Sequence, residues 1–206
     1  MIKILGRQNS VNVQKVMWCT AELNLEVTRT DVGGAFGGNN TDEYLAMNPN
    51  GLVPTMIDGE TVLWESNTIV RYLCESNPES SWYPTTIDKR GQASQWMDWY
   101  LTRLHPSMTV IFWTLIRTAV EDRDLRALEK AIIAAGDIWA IVDQHLSRQD
   151  FMTGPEPTMG DIPLGCAAYR WHEMDFERPD LPNLTAWYQR LNSRPAYQQH
   201  VMLPLT

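Results

Sequence analysis

The chain has 206 residues, of which 44% are apolar, so it can bury one large core or two smaller ones. It carries 17 basic and 25 acidic residues, for a formal net charge of −8, and it has no basic run. This balance argues against nucleic acid and anionic membranes as partners. Charges interrupt the longest apolar stretches and Met1 leads directly into a strand, so we expect no signal peptide, no membrane span and a cytoplasmic location.

The first part of the chain predicts the order β-α-β-α-β-β-α, which is the thioredoxin-like order. Alternating or helical spacing of apolar residues marks each element, and Thr41 is placed to cap the second helix. The predicted strands are residues 2–5, 26–30, 55–57 and 61–64, and the predicted helices are 13–23, 41–47 and one that begins at 66.

The loop between the first strand and the first helix, Gly6 to Lys15, holds the candidate catalytic residues. Ser10 and Asn12 lie beside a helix N-terminus, where free N–H groups and the helix dipole favour an anion. A hydroxyl and an amide at this position can donate hydrogen bonds to an anion, although either could instead simply cap the helix. Lys15 is unfavourably placed in a first turn, and we interpret it as solvated rather than as the counter-charge of a bound anion.

The next loop, residues 33–40, reads G-G-A-F-G-G-N-N and is too glycine-rich for regular structure. It lacks the Lys-Ser/Thr ending of a phosphate-binding loop. We therefore interpret it as the rim of a ligand pocket, with Asn39 or Asn40 within reach of the ligand.

The segment from Asn48 to Tyr72 predicts a site for a peptide with a free amino acid end. Proline has no N–H, so Pro54 belongs at the start of a strand, and a cis bond there would turn the backbone groups of Val53 towards an extended ligand. Ser66 is predicted to cap the following helix, whose free N–H groups suit a carboxylate, while Glu65 could pair with an ammonium. The alternative is that the proline forms only a turn and the serine only a cap.

The remainder of the chain predicts helices alone. Asn77-Pro78 ends the first domain, and residues 79–87, rich in Ser, Thr and Pro, form a linker. Thr158 and Asp161 follow a capping-box pattern and are interpreted as structural. The cysteines have no C-x-x-C spacing, so we expect buried thiols and neither a zinc site nor a disulfide framework; they are Cys19, Cys74 and Cys166.

These motifs together resemble the cytosolic glutathione transferase family, in a bacterial-type form with a Ser-x-Asn loop. The resemblance covers nearly the whole chain and includes the T-M-G-D-I segment that begins at Thr158. It implies a thioredoxin-like N-terminal domain (1–78), the linker (79–87) and an all-helical C-terminal domain (88–206). It also implies a homodimer that uses glutathione as co-substrate, with no metal.

The resemblance assigns roles to individual residues. Ser10 and Asn12 would hold the glutathione thiolate. Glutathione itself would be bound by Val53, Pro54, Glu65, Ser66, Asn40 and Leu52. The first long helix of the second domain would line the acceptor pocket through Tyr100, Arg103 and Met108, and Asp98 would reach the ligand of a partner subunit. Leu52 stands where many bacterial members have a basic residue, so Arg7 is a candidate substitute.

The function implied is transfer of the glutathione sulfur to a small hydrophobic electrophile. Glutathione-dependent reduction of disulfides is the alternative within the enzymes. A non-catalytic adaptor of the same fold is the alternative outside them, but an adaptor could dispense with the motifs around Ser10, Pro54 and Ser66, and all of them are present.

Overall fold

The computed structural model describes all 206 residues, and its N-terminal part confirms the thioredoxin-like order. The strands form one sheet in the order β2-β1-β3-β4, in which β2 is parallel to β1 and the other pairs are antiparallel. The elements are β1 (Ile2–Leu5), α1 (Val11–Glu22), β2 (Val27–Thr30), α2 (Asp42–Met47), β3 (Thr55–Asp58), β4 (Thr61–Trp64) and α3 (Ser66–Glu75).

The second part of the chain is all helical, as predicted. No helix or strand occurs between Glu75 and Ile87, a stretch that overlaps the linker predicted over residues 79–87. The helices are α4 (Ile87–Trp99), α5 (His105–Phe112), α6 (Leu125–Leu146), α7 (Asp161–Glu173), α8 (Pro182–Asn192) and α9 (Pro195–His200). No helix has the length and apolar character needed to cross a membrane.

The helical run that begins with α4 continues through two π-helical turns, Tyr100–Leu104 and Trp113–Arg117, on either side of α5. Pro106 lies just after the first of them and has no N–H to donate to the preceding turn, which accounts for the irregular hydrogen bonding there. The second π turn matters for function, because it carries two residues of the site described below.

Helix α1 connects the two parts of the molecule. It packs against α3 within the N-terminal part and against α7 and α9 of the helical part. Its buried positions include Val13, Val16 and Trp18, which are fully enclosed. The loop that precedes α1 is therefore held between the sheet and the helical part, and the site lies at this junction.

Asp161 is the polar centre of the helical part. It is fully buried, and its carboxylate accepts hydrogen bonds from the backbone N–H groups of Met152 (2.9 Å) and Thr158 (2.9 Å) and from Trp187 Nε1 (3.0 Å). Burial raises the pKa of Asp161 to about 6. The structural role predicted for Thr158 and Asp161 fits this network, which joins the loop before α7 to α8, although the N-cap residue is Gly160.

Gly160 has a packing role that the sequence did not indicate. A Cβ at this position would lie 3.0 Å from Ala93 Cα and 3.2 Å from Ala93 O. The absence of a side chain therefore allows α7 to approach α4 closely, and this contact accounts for glycine better than helix propensity does.

All three cysteines are buried and free, as expected. The Sγ atoms of Cys19 and Cys74 lie 3.7 Å apart between α1 and α3. Burial raises the pKa of the Cys19 thiol, which is consistent with a packing role.

Candidate active site

Two cavities meet at Asn12, at the junction of the sheet and the helical part. The smaller, here called the proline cavity, has a volume of about 80 Å³. It is lined by Asn12, Asn48, Asn50, Leu52, Val53, Pro54, Trp64, Glu65 and Ser66. The larger, here called the arginine cavity, has a volume of about 300 Å³. It is lined by Arg7, Asn9, Ser10, Val11, Asn12, Gly34, His105, Thr109, Phe112, Trp113, Arg117 and Arg170.

The proline cavity brings together four of the residues predicted to bind a peptide ligand: Val53, Pro54, Glu65 and Ser66. The Val53–Pro54 peptide bond is cis and directly precedes β3. The prediction that Ser66 is the N-cap residue is wrong, because Glu65 occupies that position with φ 70° and Ser66 is the first residue of the helix. The side chain of Glu65 makes no capping bond, so the first turn of α3 keeps free N–H groups, which favour an anion.

Lys15 lies beneath this cavity, and the interpretation that it is solvated is wrong. Its side chain is 0% exposed. The ammonium donates to Asn12 Oδ1 (3.0 Å) and Ser66 Oγ (3.4 Å) and lies 4.5 Å from the ring centroid of Tyr100. Burial lowers the pKa of Lys15 to about 8. The sequence placed this residue in a first helical turn, but α3 and Tyr100, which cover it, come from distant parts of the chain.

Asn12 is oriented by Lys15. An ammonium group can only donate hydrogen bonds, so the contact requires the amide oxygen of Asn12 to face it. Ser66 Oγ also donates to this oxygen, at 3.3 Å. Both contacts use Oδ1, and the amide NH₂ group makes no hydrogen bond within the protein. Two donors are therefore free at the junction of the cavities.

Ser10 supplies another free donor. It is the N-cap residue of α1, but its hydroxyl makes no capping hydrogen bond, so the alternative of simple capping is not supported. The residue is 8% exposed and lines the arginine cavity. Ser10 and Asn12 thus present unpaired donors near the N-terminus of α1. The helix dipole places partial positive charge at the same point, which also favours an anion.

Of the other two residues predicted to bind the ligand, one lines the proline cavity and the other does not. Leu52 lines the proline cavity, and its carbonyl oxygen accepts from Tyr44 Oη (2.6 Å) and Asn48 Nδ2 (2.8 Å). Asn40 is exposed and lines neither cavity, while Asn39 donates to Gly51 O (2.7 Å). The residues missed on this cavity are Asn48, Asn50 and Trp64. For Asn48 and Asn50, the available signal was the N-P-N-G turn that ends just before Leu52.

The structure does not place the predicted acceptor residues on either cavity. Tyr100 is 1% exposed and contacts His105 Nδ1 through its hydroxyl (3.0 Å), and Met108 is also buried. Arg103 is exposed elsewhere on the same helical run. Five other residues of this helical run line the arginine cavity: His105, Thr109, Phe112, Trp113 and Arg117.

Three further expectations are revised. The glycine-rich loop contains a short 3₁₀ turn, Gly34–Phe36, and Gly34 borders the arginine cavity rather than the proline cavity. Arg7 also lines the arginine cavity and not the proline cavity. Its position therefore does not favour the hypothesis that Arg7 replaces the basic residue that many bacterial members have in place of Leu52. The carboxylate of Asp98 forms an ion pair with Arg71 of the same chain.

The fold and the site define a class: a thioredoxin-like domain with a cis-proline ahead of β3, joined to an all-helical domain, with the site between them. The family model for the glutathione S-transferase N-terminal domain matches residues 9–76, and that for the C-terminal domain matches residues 122–190. The chain belongs to the glutathione S-transferase family.

Individual relatives agree with this assignment. The chain is 36% identical to glutathione S-transferase GstB of Escherichia coli (strain K12), with both sequences fully covered. It is 26% identical to glutathione S-transferase 3 of Zea mays, with 97% of this chain and 93% of that one covered. Among solved structures, the glutathione-bound theta class glutathione S-transferase of Xanthomonas axonopodis pv. citri superposes with a TM-score of 0.96 at 46% identity, covering 100% of this chain and 99% of that one.

Proposed function

We propose that this protein transfers the sulfur of glutathione to a small electrophile that carries an apolar part. The observation that carries the proposal is the pair of free donors, on Ser10 and Asn12, where the two cavities meet. One cavity suits the amino acid end of the peptide and the other is open to an acceptor. We also propose that the protein is a cytoplasmic homodimer, as the family resemblance implies.

Glutathione is held through its γ-glutamyl end in the proline cavity. Its carboxylate accepts from the free N–H groups of the first turn of α3 and from the Ser66 hydroxyl, which turns from Asn12 Oδ1 to the ligand when glutathione binds. The glutathione ammonium pairs with Glu65. The backbone groups of Val53 pair with the extended central part of the peptide. This placement directs the thiol towards Ser10 and Asn12.

The reaction requires an ionised thiol. An ordinary thiol has a pKa of about 8.5, and lowering it by about two units needs ~2.7 kcal/mol of preferential thiolate stabilisation. A hydrogen bond to a charged group contributes about 1.5–3 kcal/mol, so the donors on Ser10 and Asn12 can supply this amount together with the charge of Lys15. Ser10 acts as a donor and not as a base, because its own proton is far too tightly held.

The chemical step is then a nucleophilic substitution. The thiol proton passes to water, the thiolate sulfur forms a bond to the electrophilic carbon, and the leaving group departs with its bonding electrons. The apolar surface of Phe112 and Trp113 lies on the cavity where the acceptor would be held.

Isothermal titration with glutathione tests the binding part of this account. We expect Ser66→Ala to raise Kd about tenfold, because the hydroxyl bond to a carboxylate is lost. Ser147→Ala, on an exposed serine at the end of α6, is the matched control and should leave Kd unchanged. Absence of wild-type binding at millimolar glutathione would overturn the proposal, and conversion of a small mixed disulfide but not of a halogenated nitroaromatic would favour disulfide reduction instead.

A further inference from the structure

The arginine cavity concentrates positive charge without any counter-charge. Arg7, Arg117 and Arg170 line it together, and its lining contains no Asp or Glu. The ion pairs of the chain are Arg29–Asp31, Arg71–Asp98, Arg190–Asp150 and Arg194–Glu22, and none involves these arginines. This clustering is notable in a chain whose formal net charge is −8, because carboxylates are plentiful elsewhere.

Arg170, on α7, is the deepest of the three. Its guanidinium carbon lies 3.9 Å from the ring centroid of Phe112, and Nη2 donates to the backbone oxygen of Asn9 (3.3 Å). The Nε–H group is buried and has no hydrogen-bond partner. A buried donor without a partner is costly, so an arginine in this state is prepared for a ligand that can accept from it.

The other two arginines converge on the same space from different elements. Arg117, in the second π turn, lies with its guanidinium carbon 5.6 Å from the Phe112 ring centroid. Arg7, in the loop before α1, donates to Asn9 Oδ1 (2.8 Å). The remaining titratable group, His105, has its pKa lowered to about 4 by burial and by the nearby cations, so it is neutral and does not offset their charge.

The positive charges that line the arginine cavity repel one another. Burial, and then the charge of Arg117, lower the pKa of Arg7. Burial lowers the pKa of Arg170 to about 10, and both other arginines contribute in the same direction. A bound anion would remove this repulsion, whereas a neutral acceptor would leave it in place.

We propose that the arginine cavity binds the carboxylate of an aromatic electrophile, so that the preferred acceptor is an organic acid rather than a neutral compound. This inference rests on the transferase function proposed above and specifies its acceptor. Guanidinium groups match a carboxylate with paired hydrogen bonds, and the Phe112 and Trp113 side chains supply the surface for the ring.

A matched pair of acceptors tests the inference: 4-chloro-3,5-dinitrobenzoate and its neutral carboxamide. In both, the glutathione sulfur bonds to the ring carbon that carries chlorine, chloride leaves with the bonding pair and the thiol proton passes to water. We expect wild-type kcat/KM, divided by the uncatalysed rate constant, to be at least about tenfold higher for the acid. Added salt should reduce this preference, because it screens exposed charge.

Arg117→Gln is the informative variant, because Arg117 is exposed and its loss should not prevent folding. We expect the preference for the acid, which is the ratio of kcat/KM for the acid to kcat/KM for the carboxamide, to fall about tenfold, while the KM for glutathione stays within twofold. Arg148→Gln, which removes an exposed arginine that lines neither cavity, is the control and should change none of these values.

Three results would overturn the inference. The first is a carboxamide that the wild type converts as well as the acid, and the second is an equal loss for both acceptors in Arg117→Gln. The third is a change confined to the KM for glutathione, which would mean that the arginine holds a carboxylate of glutathione itself. If glutathione binds but neither acceptor nor a neutral chloronitrobenzene reacts, the proposed transferase function fails, and the inference fails with it.

Discussion

Asp161→Ala is expected to lower the free energy of unfolding by about 3–5 kcal/mol, the largest loss of stability that we predict. The carboxylate accepts from Met152 N, Thr158 N and Trp187 Nε1, all of them buried. Alanine would leave these donors without partners and would also create a small cavity. Denaturant unfolding, followed by tryptophan fluorescence, measures the difference.

The control for this variant is Asp137→Ala, which removes an exposed carboxylate on α6. We expect a change of at most about 0.5 kcal/mol there. If Asp161→Ala lowered the free energy of unfolding by less than about 1 kcal/mol, the network around Asp161 would not be the polar centre of the helical part.

Lys15→Met is expected to make the protein more stable but less active. Methionine fills a similar volume without a charge, so we expect the free energy of unfolding to rise by about 1–4 kcal/mol at pH 7. We expect kcat/KM to fall about 10- to 100-fold, because the variant loses the cation near the thiolate and the bond that orients the Asn12 amide. Unfolding curves and steady-state kinetics on the same preparation measure both effects.

The pH dependence of stability gives this variant an independent check. Burial lowers the pKa of Lys15 from 10.5 to about 8, so between these values the unfolded chain holds a proton that the folded chain has released. Stability therefore rises with pH across this window in the wild type. The advantage of Lys15→Met over the wild type should be largest below pH 8 and should shrink towards pH 10.5. An advantage that does not change with pH would show that Lys15 is not a buried cation.

The fold was predictable from local patterns in the sequence. Alternating apolar residues marked Ile2–Leu5 and Thr61–Trp64 at their observed bounds, and helical spacing marked the elements around them. The Asp58-Gly59 pair between the predicted strands 55–57 and 61–64 is typical of a hairpin turn, because glycine accepts the positive φ that the turn requires. These signals act over a few residues, so the sequence displays them directly.

The site was predictable only in part. The V-P and E-S pairs and the S-x-N loop are local motifs, and the structure brings Asn12, Val53 and Ser66 to one cavity. The burial of Lys15 and the convergence of the arginines depend on contacts between distant elements. Nothing near Arg117 in the sequence indicates that Arg170 will lie beside it, because α7 and the second π turn meet only in the folded chain.

The acceptor residues were mispredicted for a related reason. Tyr100 and Met108 were chosen by residue type on a helix whose facing surfaces were unknown, and both point into the core. The π turns on either side of α5 also change the helical spacing, so a regular period of 3.6 residues does not identify one face of this run.

The central claim is that Ser10 and Asn12 lower the pKa of the bound glutathione thiol, and titration of the enzyme–glutathione complex by thiolate absorbance tests it most directly. In the wild type we expect the pKa of the bound thiol to lie about two units below that of free glutathione. Ser10→Ala and Asn12→Ala should each raise this pKa by about one unit. A bound thiol in the wild type with the pKa of free glutathione would contradict the account, as would a lowered pKa that both variants retain.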